Sequence, residues 1–213
     1  MNRGRLVSFE GGEGCGKSTQ ARLLAVWLEE QGVPVVLTRE PGGTAGAEAI
    51  RQLLLEPPGE SWNAAAEALL FAAARSDHVA QVILPALTQG RWVVCDRFID
   101  SSLAYQGIAG QLGLEAVRTF HNLGSFDLLP DLTILLNLDH TTAAARLEQR
   151  DKGAVDAIGG RGVAYHQRVY NAFVALAEAE PDRFVVLDAS ATIEEVQEQV
   201  RAAVRPLFEQ QLR

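Results

Sequence analysis

Residues 6–19 read LVSFEGGEGCGKST, a short apolar run that leads directly into a glycine-rich loop. From Gly11 to Ser18 the loop matches the pattern G-x-x-x-x-G-K-[ST] in full, and a segment with helical periodicity follows it. Glycines let successive backbone N–H groups point at a polyphosphate, and the helix N-terminus adds partial positive charge. The stretch therefore predicts a strand, a phosphate-binding loop and a helix, in the order that nucleoside triphosphate binding requires.

The loop supplies groups for the phosphates of a bound nucleoside triphosphate and for its metal ion. We expect Lys17 to reach the β and γ oxygens, and the hydroxyl of Ser18 to ligate Mg²⁺. Thr19 either touches the α-phosphate or is simply a polar residue of the first helical turn. The predicted ATP site consists of nine loop residues, which are Gly11, Gly12, Glu13, Gly14, Cys15, Gly16, Lys17, Ser18 and Thr19.

Five short apolar runs that do not alternate cleanly predict a parallel sheet with helices on both faces. They are Leu6–Glu10, Val33–Thr38, Trp92–Asp96, Leu132–Leu138 and Phe184–Asp188. Helical periodicity lies between and after these runs, in Lys17–Gln31, Trp62–Gln89, Glu115–Leu123, Thr141–Arg150, Ala164–Glu180 and Ile193–Leu212. Strand alternating with helix predicts a doubly wound α/β fold. No linker divides the chain, so we expect one domain over residues 1–213.

Two glycine-bearing stretches interrupt the helical pattern. Gly107–Gly113 is predicted to be a loop. Residues 151–162 hold four glycines between two helical segments, which indicates either a mobile flap or a plain surface loop.

Composition and charge exclude several classes of protein. The formal net charge is −8, which argues against a broad nucleic-acid-binding face. No apolar run approaches the roughly 18 residues of a membrane helix, so we expect no membrane partner. The two cysteines, Cys15 and Cys95, are too few for a disulfide framework. Reduced thiols and a start without a signal-peptide core lead us to expect a cytoplasmic protein.

The third apolar run ends on Asp96, as a carboxylate on the metal side of a phosphate loop does. Lysines occur only at positions 17 and 152, so no Asn-Lys-x-Asp segment for guanine recognition exists. A GTP switch is thereby excluded. A small phosphotransferase and a lone ATP-binding module remain.

Three further motifs, together with the phosphate loop, resemble the thymidylate kinase family. They are Arg39-Glu40-Pro41-Gly42-Gly43, Asp96-Arg97-Phe98 and Ala104-Tyr105-Gln106-Gly107. The bacterial subgroup is the most similar, because the phosphate loop carries no arginine. The resemblance runs from residue 5 to about 205. It implies a P-loop NTPase fold of the nucleoside-monophosphate-kinase type and a homodimer. It also implies transfer of the ATP γ-phosphoryl group to dTMP with Mg²⁺, giving dTDP and ADP.

Arginines are the expected ligands of an acceptor phosphate, because the planar guanidinium fork matches its oxygens. Arg97 follows a strand at the sheet edge where ligands bind in such folds. Arg51 lies in a helix that begins after the Gly42–Gly43 turn and could instead be a solvated surface residue. The resemblance implies that both arginines hold the dTMP phosphate.

Phe71 and Arg75 are four residues apart and share one helix face, where a ring can stack on a pyrimidine and a guanidinium can donate to its edge. A core phenylalanine beside a surface arginine is the alternative. The resemblance assigns stacking on thymine to Phe71 and donation to its O4 atom to Arg75. It places Tyr105 against the deoxyribose, and it implies a cis bond before Pro41. The predicted dTMP site comprises Glu13, Pro41, Arg51, Phe71, Arg75, Arg97, Ser102, Tyr105 and Gln106, with Ser102 either at the base edge or structural.

The resemblance is weakest in the flap, predicted at about 148–162. Bacterial members carry an Asp-Arg-x-Glu run here, whereas this chain has Asp156-Ala157-Ile158-Gly159. Arg150 is the expected flap arginine, with Lys152 and Arg161 as residues that could compensate. The predicted catalytic residues are thus Lys17, Arg97, Arg150 and Glu13, and the predicted metal-side residues are Ser18 and Asp96. A kinase for another nucleoside or nucleotide, and a non-catalytic ATP-binding module, remain as alternatives.

Overall fold

The computed structural model describes residues 3–59, 61–139, 142, 143, 145, 146 and 157–211. Five strands form one sheet, and they are β1 Leu6–Glu10, β2 Val35–Arg39, β3 Trp92–Asp96, β4 Leu132–Asn137 and β5 Phe184–Asp188. Their order is β2-β3-β1-β4-β5, and every neighbouring pair is parallel. The predicted five-stranded parallel sheet is confirmed. Strand β2 begins two residues later than predicted, directly after Pro34, which has no N–H to donate.

Helices connect the strands and follow the last one. They are α1 Lys17–Glu30, α2 Ala45–Leu55, α3 Ala64–His78, α4 Leu84–Thr88, α5 Ile99–Ser102, α6 Leu114–Ser125, α7 Val163–Ala179 and α8 Ile193–Gln211, with π-helical segments at Val79–Ile83 and Leu103–Ala109. Most of the helix predicted at 141–150 lies outside the described residues. No helix of the described ranges is long and apolar enough to cross a membrane.

The core lies on both faces of the sheet, because successive strand residues point to opposite sides. Val7, Phe9 and Val94 pack on one face against α1 and α8. Leu6 and Val93 pack on the other face against the α3–α4 segment, the second π-helical segment, α6 and α7. Burial on both faces explains why the strand sequences are apolar throughout rather than alternating.

The segment predicted as one helix over residues 62–89 is broken in the structure. Between α3 and α4 the backbone widens into the π-helical turn Val79–Ile83, where the N–H of Leu84 donates to the carbonyl of Val79. Pro85 follows directly and cannot donate to a regular helical ladder. The periodicity of the sequence therefore located the helical segment but not the irregularity within it.

The prediction of a loop at Gly107–Gly113 is wrong for its first three residues. Leu103–Ala109 is π-helical and continues directly from α5, and the turn begins only at Gly110. Gly107 fits here because a Cβ atom at this position would lie 3.3 Å from Cδ2 of Leu114 on α6. A residue type that usually marks a turn instead permits the close approach of two helical segments.

The carboxyl ends of β1, β2 and β3 lie level with one another. Phe9 of β1 and Arg39 of β2 both stand opposite Asp96 in the parallel register. The residues that follow these strands, beginning with Glu10, Glu40 and Arg97, therefore emerge at one edge of the sheet. In open α/β sheets this edge is where ligands bind.

Candidate active site

A cavity of about 600 Å³ opens at this edge of the sheet. Most of the predicted site residues line it, namely Glu13, Gly14, Gly16, Lys17, Ser18, Thr19, Pro41, Arg51, Phe71, Arg75, Asp96, Arg97, Ser102, Tyr105 and Gln106. Gly11, Gly12 and Cys15 belong to the loop but are not among the residues that line the cavity. Arg150, Lys152 and residues 148–156 of the predicted flap lie outside the described residues. The structure thus brings the predicted nucleotide-binding groups of five separate chain segments to one space.

The phosphate loop has a backbone that only glycine adopts readily. Gly14 and Gly16 have φ angles of 74° and 94°, in the left-handed region. Helix α1 begins at Lys17, so the partial positive charge of its N-terminus lies at the cavity wall. The ammonium group of Lys17 donates to the carbonyl oxygen of Gly12 at 2.6 Å and to the sulfur of Cys15 at 3.6 Å. The lysine is therefore folded back over its own loop, in a position where a phosphate can replace the Gly12 carbonyl.

Ser18 and Asp96 meet at the inner end of the loop. The Ser18 hydroxyl donates to Oδ2 of Asp96. The other carboxylate oxygen, Oδ1, is buried and has no hydrogen-bond partner within the described part of the chain. A buried carboxylate oxygen without a donor fits a cation or a water molecule held by a cation, and hard oxygen donors are the ligands that Mg²⁺ prefers.

Arg97 occupies the centre of the cavity wall. Its backbone has a φ of 68°, and its N–H donates to the carbonyl of Phe9 at 2.9 Å. The guanidinium group donates to Glu13 at 2.6 Å and to Ser101 at 3.0 Å, and it lies 5.1 Å above the centre of the Tyr105 ring. Burial alone would lower the pKa of Arg97, but Glu13 and the neighbouring acidic groups raise it well above its usual value. A permanently charged fork, held from several sides, suits the recognition of a phosphate group.

Glu10 lies beneath Arg97 and is completely buried. Its carboxyl group accepts hydrogen bonds from the backbone N–H of Phe98 at 2.7 Å and from the hydroxyl of Ser101 at 2.6 Å. Burial and the nearby carboxylate of Asp100 raise the pKa of Glu10 to about 8, while Ser101, Arg97 and Phe98 lower it less strongly. Ser101 therefore connects this carboxyl group to the guanidinium of Arg97.

Arg75 lies at the other end of the cavity and is only 3% exposed. Its Nε donates to Glu40 at 2.7 Å, and its Nη2 donates to the carbonyl of Phe98 at 3.0 Å and to Ser102 at 2.9 Å. Its Nη1 has no hydrogen-bond partner among the residues described. The arginine is therefore anchored through two of its nitrogens, and the third, Nη1, remains for a ligand in the cavity.

Glu40 is the counter-ion of Arg75. Its second oxygen lies 3.1 Å from Nδ1 of His78, whose Nε2 lies 2.7 Å from the hydroxyl of Thr38. Burial on its own would raise the pKa of Glu40, but the charge of Arg75 and the contact with His78 outweigh burial and hold the pKa below its usual value. Glu40 is thus a fixed anion that orients the arginine.

The remaining walls place an aromatic ring and a second arginine at this end of the cavity. Phe71, one turn before Arg75 on α3, is half-buried and lines the cavity. Arg51 of α2 donates from Nη1 to the carbonyl oxygen of Pro41 at 2.8 Å. The peptide bond between Glu40 and Pro41 is cis, as the family resemblance implies. The i, i+4 spacing of Phe71 and Arg75 therefore places both on the cavity side of α3.

Tyr105 and Gln106 lie on the π-helical segment that follows α5. Segments of this type occur frequently at functional sites, because the widened turn shifts side chains out of the regular helical spacing. The amide nitrogen of Gln106 donates to Oε1 of Glu67 at 2.9 Å. Burial raises the pKa of the Tyr105 hydroxyl above its usual value, despite the opposing effect of Arg97.

Several residues that line the cavity were not among the predicted site residues. They are Arg22, Arg39, Glu40, Leu55, Ser101, Arg146 and Ile158. Arg22 lies one helical turn after Ser18, so its position could have been inferred from the i, i+4 spacing. Ser101 and Leu55 carry no comparable signal. Arg146 donates to the carbonyl of Ala189 at 3.0 Å.

The sheet order, the phosphate loop and a cavity with cationic groups at both ends define a P-loop phosphotransferase of the nucleoside-monophosphate-kinase type. A family model described as "Thymidylate kinase" matches residues 9–200. The chain belongs to the thymidylate kinase family.

Individual relatives cover nearly the whole chain. A thymidylate kinase of Rhizorhabdus wittichii is 52% identical over 205 residues, which are 96% of this chain and 99% of the relative. One of Symbiobacterium thermophilum is 47% identical over 207 residues, which are 97% of this chain and 95% of the relative. The crystal structure of thymidylate kinase from Ehrlichia chaffeensis superimposes with a TM-score of 0.76 at 33% identity, and covers 95% of this chain and 99% of that one.

Proposed function

We propose that the cavity holds ATP and dTMP end to end and transfers the γ-phosphoryl group from the first to the second, giving ADP and dTDP. Membership of the thymidylate kinase family makes the chain an ATP-dependent nucleoside monophosphate kinase. The observation that carries the proposal is the shared cavity, in which the phosphate loop, Arg97, and the pair Phe71 and Arg75 all line one space. Lys17 and Arg97 thereby provide a cation for the donor phosphates and one for the acceptor phosphate. Phe71 and Arg75 provide an aromatic ring and a hydrogen-bond donor for the pyrimidine.

The chemistry requires charge neutralisation rather than a nucleophile of the protein. A phosphate oxygen of dTMP forms the new bond to the γ-phosphorus, the bond from that phosphorus to the β–γ bridging oxygen breaks, and its electron pair leaves with ADP. The attacking oxygen is already anionic, so no general base is needed. Lys17 neutralises the donor phosphates and Arg97 the acceptor phosphate, and both residues line the same cavity. Arg150, which is expected to neutralise the transferred phosphoryl group from the flap side, stays a prediction.

Glu13 and Arg97 form an ion pair of 2.6 Å at the meeting point of the two nucleotides. A carboxylate close to phosphates repels them. A phosphate that binds the guanidinium fork of Arg97 therefore competes with the Glu13 carboxylate for that group. We propose that Glu13 then positions the sugar hydroxyl or a water molecule, with Tyr105 against the deoxyribose. Arg51 joins Arg97 on the acceptor phosphate, and Pro41 forms part of the wall.

At the base end, Phe71 stacks on thymine and Nη1 of Arg75, which has no partner among the described residues, donates to its O4 atom. Ser102 and Glu40 hold this arginine in place, at 2.9 Å and 2.7 Å. Gln106 contacts the base edge. The rigid anchoring of Arg75 supports a preference for a keto group over an amino group at this position of the pyrimidine, because an amino group cannot accept its hydrogen bond.

Mg²⁺ fits the pair of Ser18 and Asp96, since the buried Oδ1 of Asp96 is without a hydrogen-bond partner among the described residues. When bound, the ion would neutralise charge on the transferring phosphates. Ser18 would hold it through its hydroxyl and Asp96 through a carboxylate oxygen or a water molecule.

Production of ADP with dTMP, dUMP, dCMP, AMP and thymidine as acceptors tests the proposal. We expect kcat/KM for dTMP to exceed the values for dCMP and AMP by at least 100-fold, roughly the effect of leaving a buried donor unpaired. Equal turnover of dCMP or AMP would show a kinase with another acceptor. Binding of ATP without turnover of any acceptor would show a non-catalytic module.

A homodimer is proposed on the exposed apolar residues of neighbouring helices. Leu69 on α3 is 51% exposed, and Leu123 on α6 and Phe126 at its end are 84% and 70% exposed. Large apolar side chains exposed on two helices that pack against each other favour association. Light scattering after size exclusion tests it, and Leu123→Glu is expected to shift the mass towards the monomer. The cytoplasmic location stays a prediction.

A further inference from the structure

Gln106 stands between two cavities. It lines the substrate cavity and also a second cavity of about 400 Å³, whose walls include Glu67, Arg161, Tyr165 and Arg168. Its amide nitrogen donates to Oε1 of Glu67, and Oε2 of Glu67 accepts from Arg161. Arg161 also donates to the hydroxyl of Tyr165 at 2.6 Å. A chain of polar contacts therefore runs from Gln106 to the segment directly before α7.

The partner of Gln106 decides which end of its amide reaches the substrate cavity. An ionised carboxylate accepts hydrogen bonds and cannot donate them, so only the NH₂ group of Gln106 can face Glu67. The amide oxygen of Gln106 has no partner among the described residues, and it is then available on the side of the substrate cavity. An amide whose orientation is fixed in this way offers an acceptor, and N3–H of thymine is a donor whereas N3 of cytosine is an acceptor.

Arg161 supplies the charge that this arrangement requires. The side chain of Glu67 is 10% exposed and that of Arg161 is 28% exposed, so the ion pair is largely shielded from water. Without Arg161, the carboxylate of Glu67 loses the cation that holds it in place beside Gln106. The amide of Gln106 could then turn around, because its acceptor would no longer be fixed.

We propose that Arg161 is a positioning residue for pyrimidine selectivity, which acts through Glu67 to present the amide oxygen of Gln106 to the base. The inference rests on the proposed contact of Gln106 with the base edge. It differs from the expectation that Arg161 replaces the missing flap arginine in catalysis, because both terminal nitrogens of Arg161 are engaged by Glu67 and Tyr165.

Arg168 offers a matched control. Its guanidinium lies 5.7 Å from the centre of the Tyr165 ring, and that of Arg161 lies 4.7 Å from the same centre. The Nε of Arg168 donates to the carbonyl of Ala109 at 3.4 Å. Within the described part of the chain, Arg168 forms no hydrogen bond or ion pair with Glu67. Packing on Tyr165 is thus shared by the two arginines, whereas the pairing with Glu67 belongs to Arg161.

The experiment compares Arg161→Met with Arg168→Met in the full chain, using dTMP and dCMP as acceptors at saturating ATP. We expect Arg161→Met to lower the ratio of kcat/KM for dTMP over dCMP by about tenfold, the effect of one hydrogen bond. The change should lie in KM for dTMP, with kcat nearly unchanged, and Arg168→Met should keep the wild-type ratio. Arg161→Lys, which retains the charge, should keep most of the selectivity and provides a folded variant should the methionine variant not fold.

A double-mutant cycle with Glu67→Gln tests whether the effect passes through Glu67. We expect Arg161→Met to add little in the Glu67→Gln background, and fully additive effects would overturn the inference. A lower kcat with unchanged selectivity would assign Arg161 to phosphoryl transfer, and equal effects of Arg161→Met and Arg168→Met would reduce its role to packing. Gln106→Ala separates the two proposals: unchanged selectivity in that variant would refute the base contact itself, whereas lost selectivity there but not in Arg161→Met would refute only the role of Arg161.

Discussion

Glu10 and Glu40 each lie close to an arginine that lines the cavity, yet their carboxyl groups behave in opposite ways. Glu10 ends β1 and Glu40 follows β2, and the two residues are 0% and 4% exposed. The pKa of Glu10 is raised to about 8, whereas that of Glu40 is lowered. Burial favours the neutral acid at both positions, so the difference must come from the partners.

The formal charge of the partners explains the contrast. Glu40 contacts the guanidinium of Arg75 directly, at 2.7 Å, and His78 at 3.1 Å. Glu10 contacts a backbone N–H and a hydroxyl, while the nearby carboxylate of Asp100 repels a second negative charge. Two buried acids in one site can therefore serve different purposes. The lowered pKa of Glu40 keeps it an anion beside Arg75, the arginine proposed to bind the base. The pKa of Glu10 is about 8, and this residue lies next to Arg97, the arginine proposed to bind the acceptor phosphate.

The largest expected effect follows from removing the charge of Glu40. In Glu40→Gln the buried guanidinium of Arg75 loses its counter-ion, and breaking a buried pair in this way costs about 3–5 kcal/mol of unfolding free energy. We expect that loss in urea unfolding, together with a higher KM for dTMP.

Glu48→Gln is the matched control. Glu48 also pairs with an arginine at the end of β2, at 3.0 Å to Arg39, but the two side chains are 42% and 53% exposed. Exposed pairs contribute little, so the loss should be less than about 1 kcal/mol. Equal losses in the two variants would remove the distinction between a buried and an exposed ion pair here.

The pH dependence of stability should be opposite for the two buried glutamates. Because the folded pKa of Glu10 is above its ordinary value of 4.5, its favourable contribution is complete below pH 4.5 and is lost as the pH rises to about 8. Because the folded pKa of Glu40 is below 4.5, its contribution is present above that pH and is lost as the pH falls through the folded pKa. In the wild type, the unfolding free energy should therefore rise with pH at acidic values, because of Glu40, and fall between pH 4.5 and about 8, because of Glu10.

Glu10→Gln removes the titrating carboxyl group and so isolates the contribution of Glu10 to the pH dependence of the unfolding free energy. One proton corresponds to at most about 1.4 kcal/mol per pH unit, and this part of the slope between pH 4.5 and 8 should disappear in the variant. Unfolding by urea at a series of pH values measures it. A variant that retains the full wild-type slope would show that Glu10 does not titrate in this range.

The same contrast shows how far sequence reasoning reaches. The phosphate loop and the parallel strands follow from local patterns. The spacing of Phe71 and Arg75 predicts only that they share a helix face, and the family resemblance assigns them to the site. The ion pair of Glu40 and Arg75 joins positions 35 residues apart, and the pair of Glu67 and Arg161 joins positions 94 residues apart. Such contacts depend on the packing of α3 against neighbouring segments, and no local pattern encodes them.

The irregular backbone of the helical segments could not be predicted from the sequence either. The π-helical segment Leu103–Ala109 carries Tyr105 and Gln106, whose residue types were assigned to the site through the family resemblance. Its glycine indicated a loop, since glycine in a helix is usually unfavourable. Only the approach of Leu114 shows why a glycine is present within a helical turn at position 107. The structure thus corrects the local conformation without moving these residues out of the cavity.

The smallest expected effects distinguish the two ends of the cavity most directly, because adjacent serines serve different glutamate–arginine pairs. Ser101 donates to Glu10 at 2.6 Å and accepts from Arg97 at 3.0 Å. Ser102 accepts from Arg75 at 2.9 Å and lies at the end that we propose holds the base. Each alanine variant removes hydrogen bonds worth about 1 kcal/mol, so kcat/KM for dTMP should fall about fivefold in both.

The two variants should differ in what else they change. The Ser101 hydroxyl lowers the pKa of Glu10, so Ser101→Ala should shift the alkaline limb of the stability profile to higher pH. Ser102→Ala should leave that profile unchanged and instead reduce the preference for dTMP over dCMP, because Arg75 loses one of its anchors. Parallel measurements of urea unfolding against pH and of acceptor selectivity decide the matter. If either serine variant produced the change expected of the other, the carboxyl groups of Glu10 and Glu40 could not be acting as separate controls on the phosphate end and the base end.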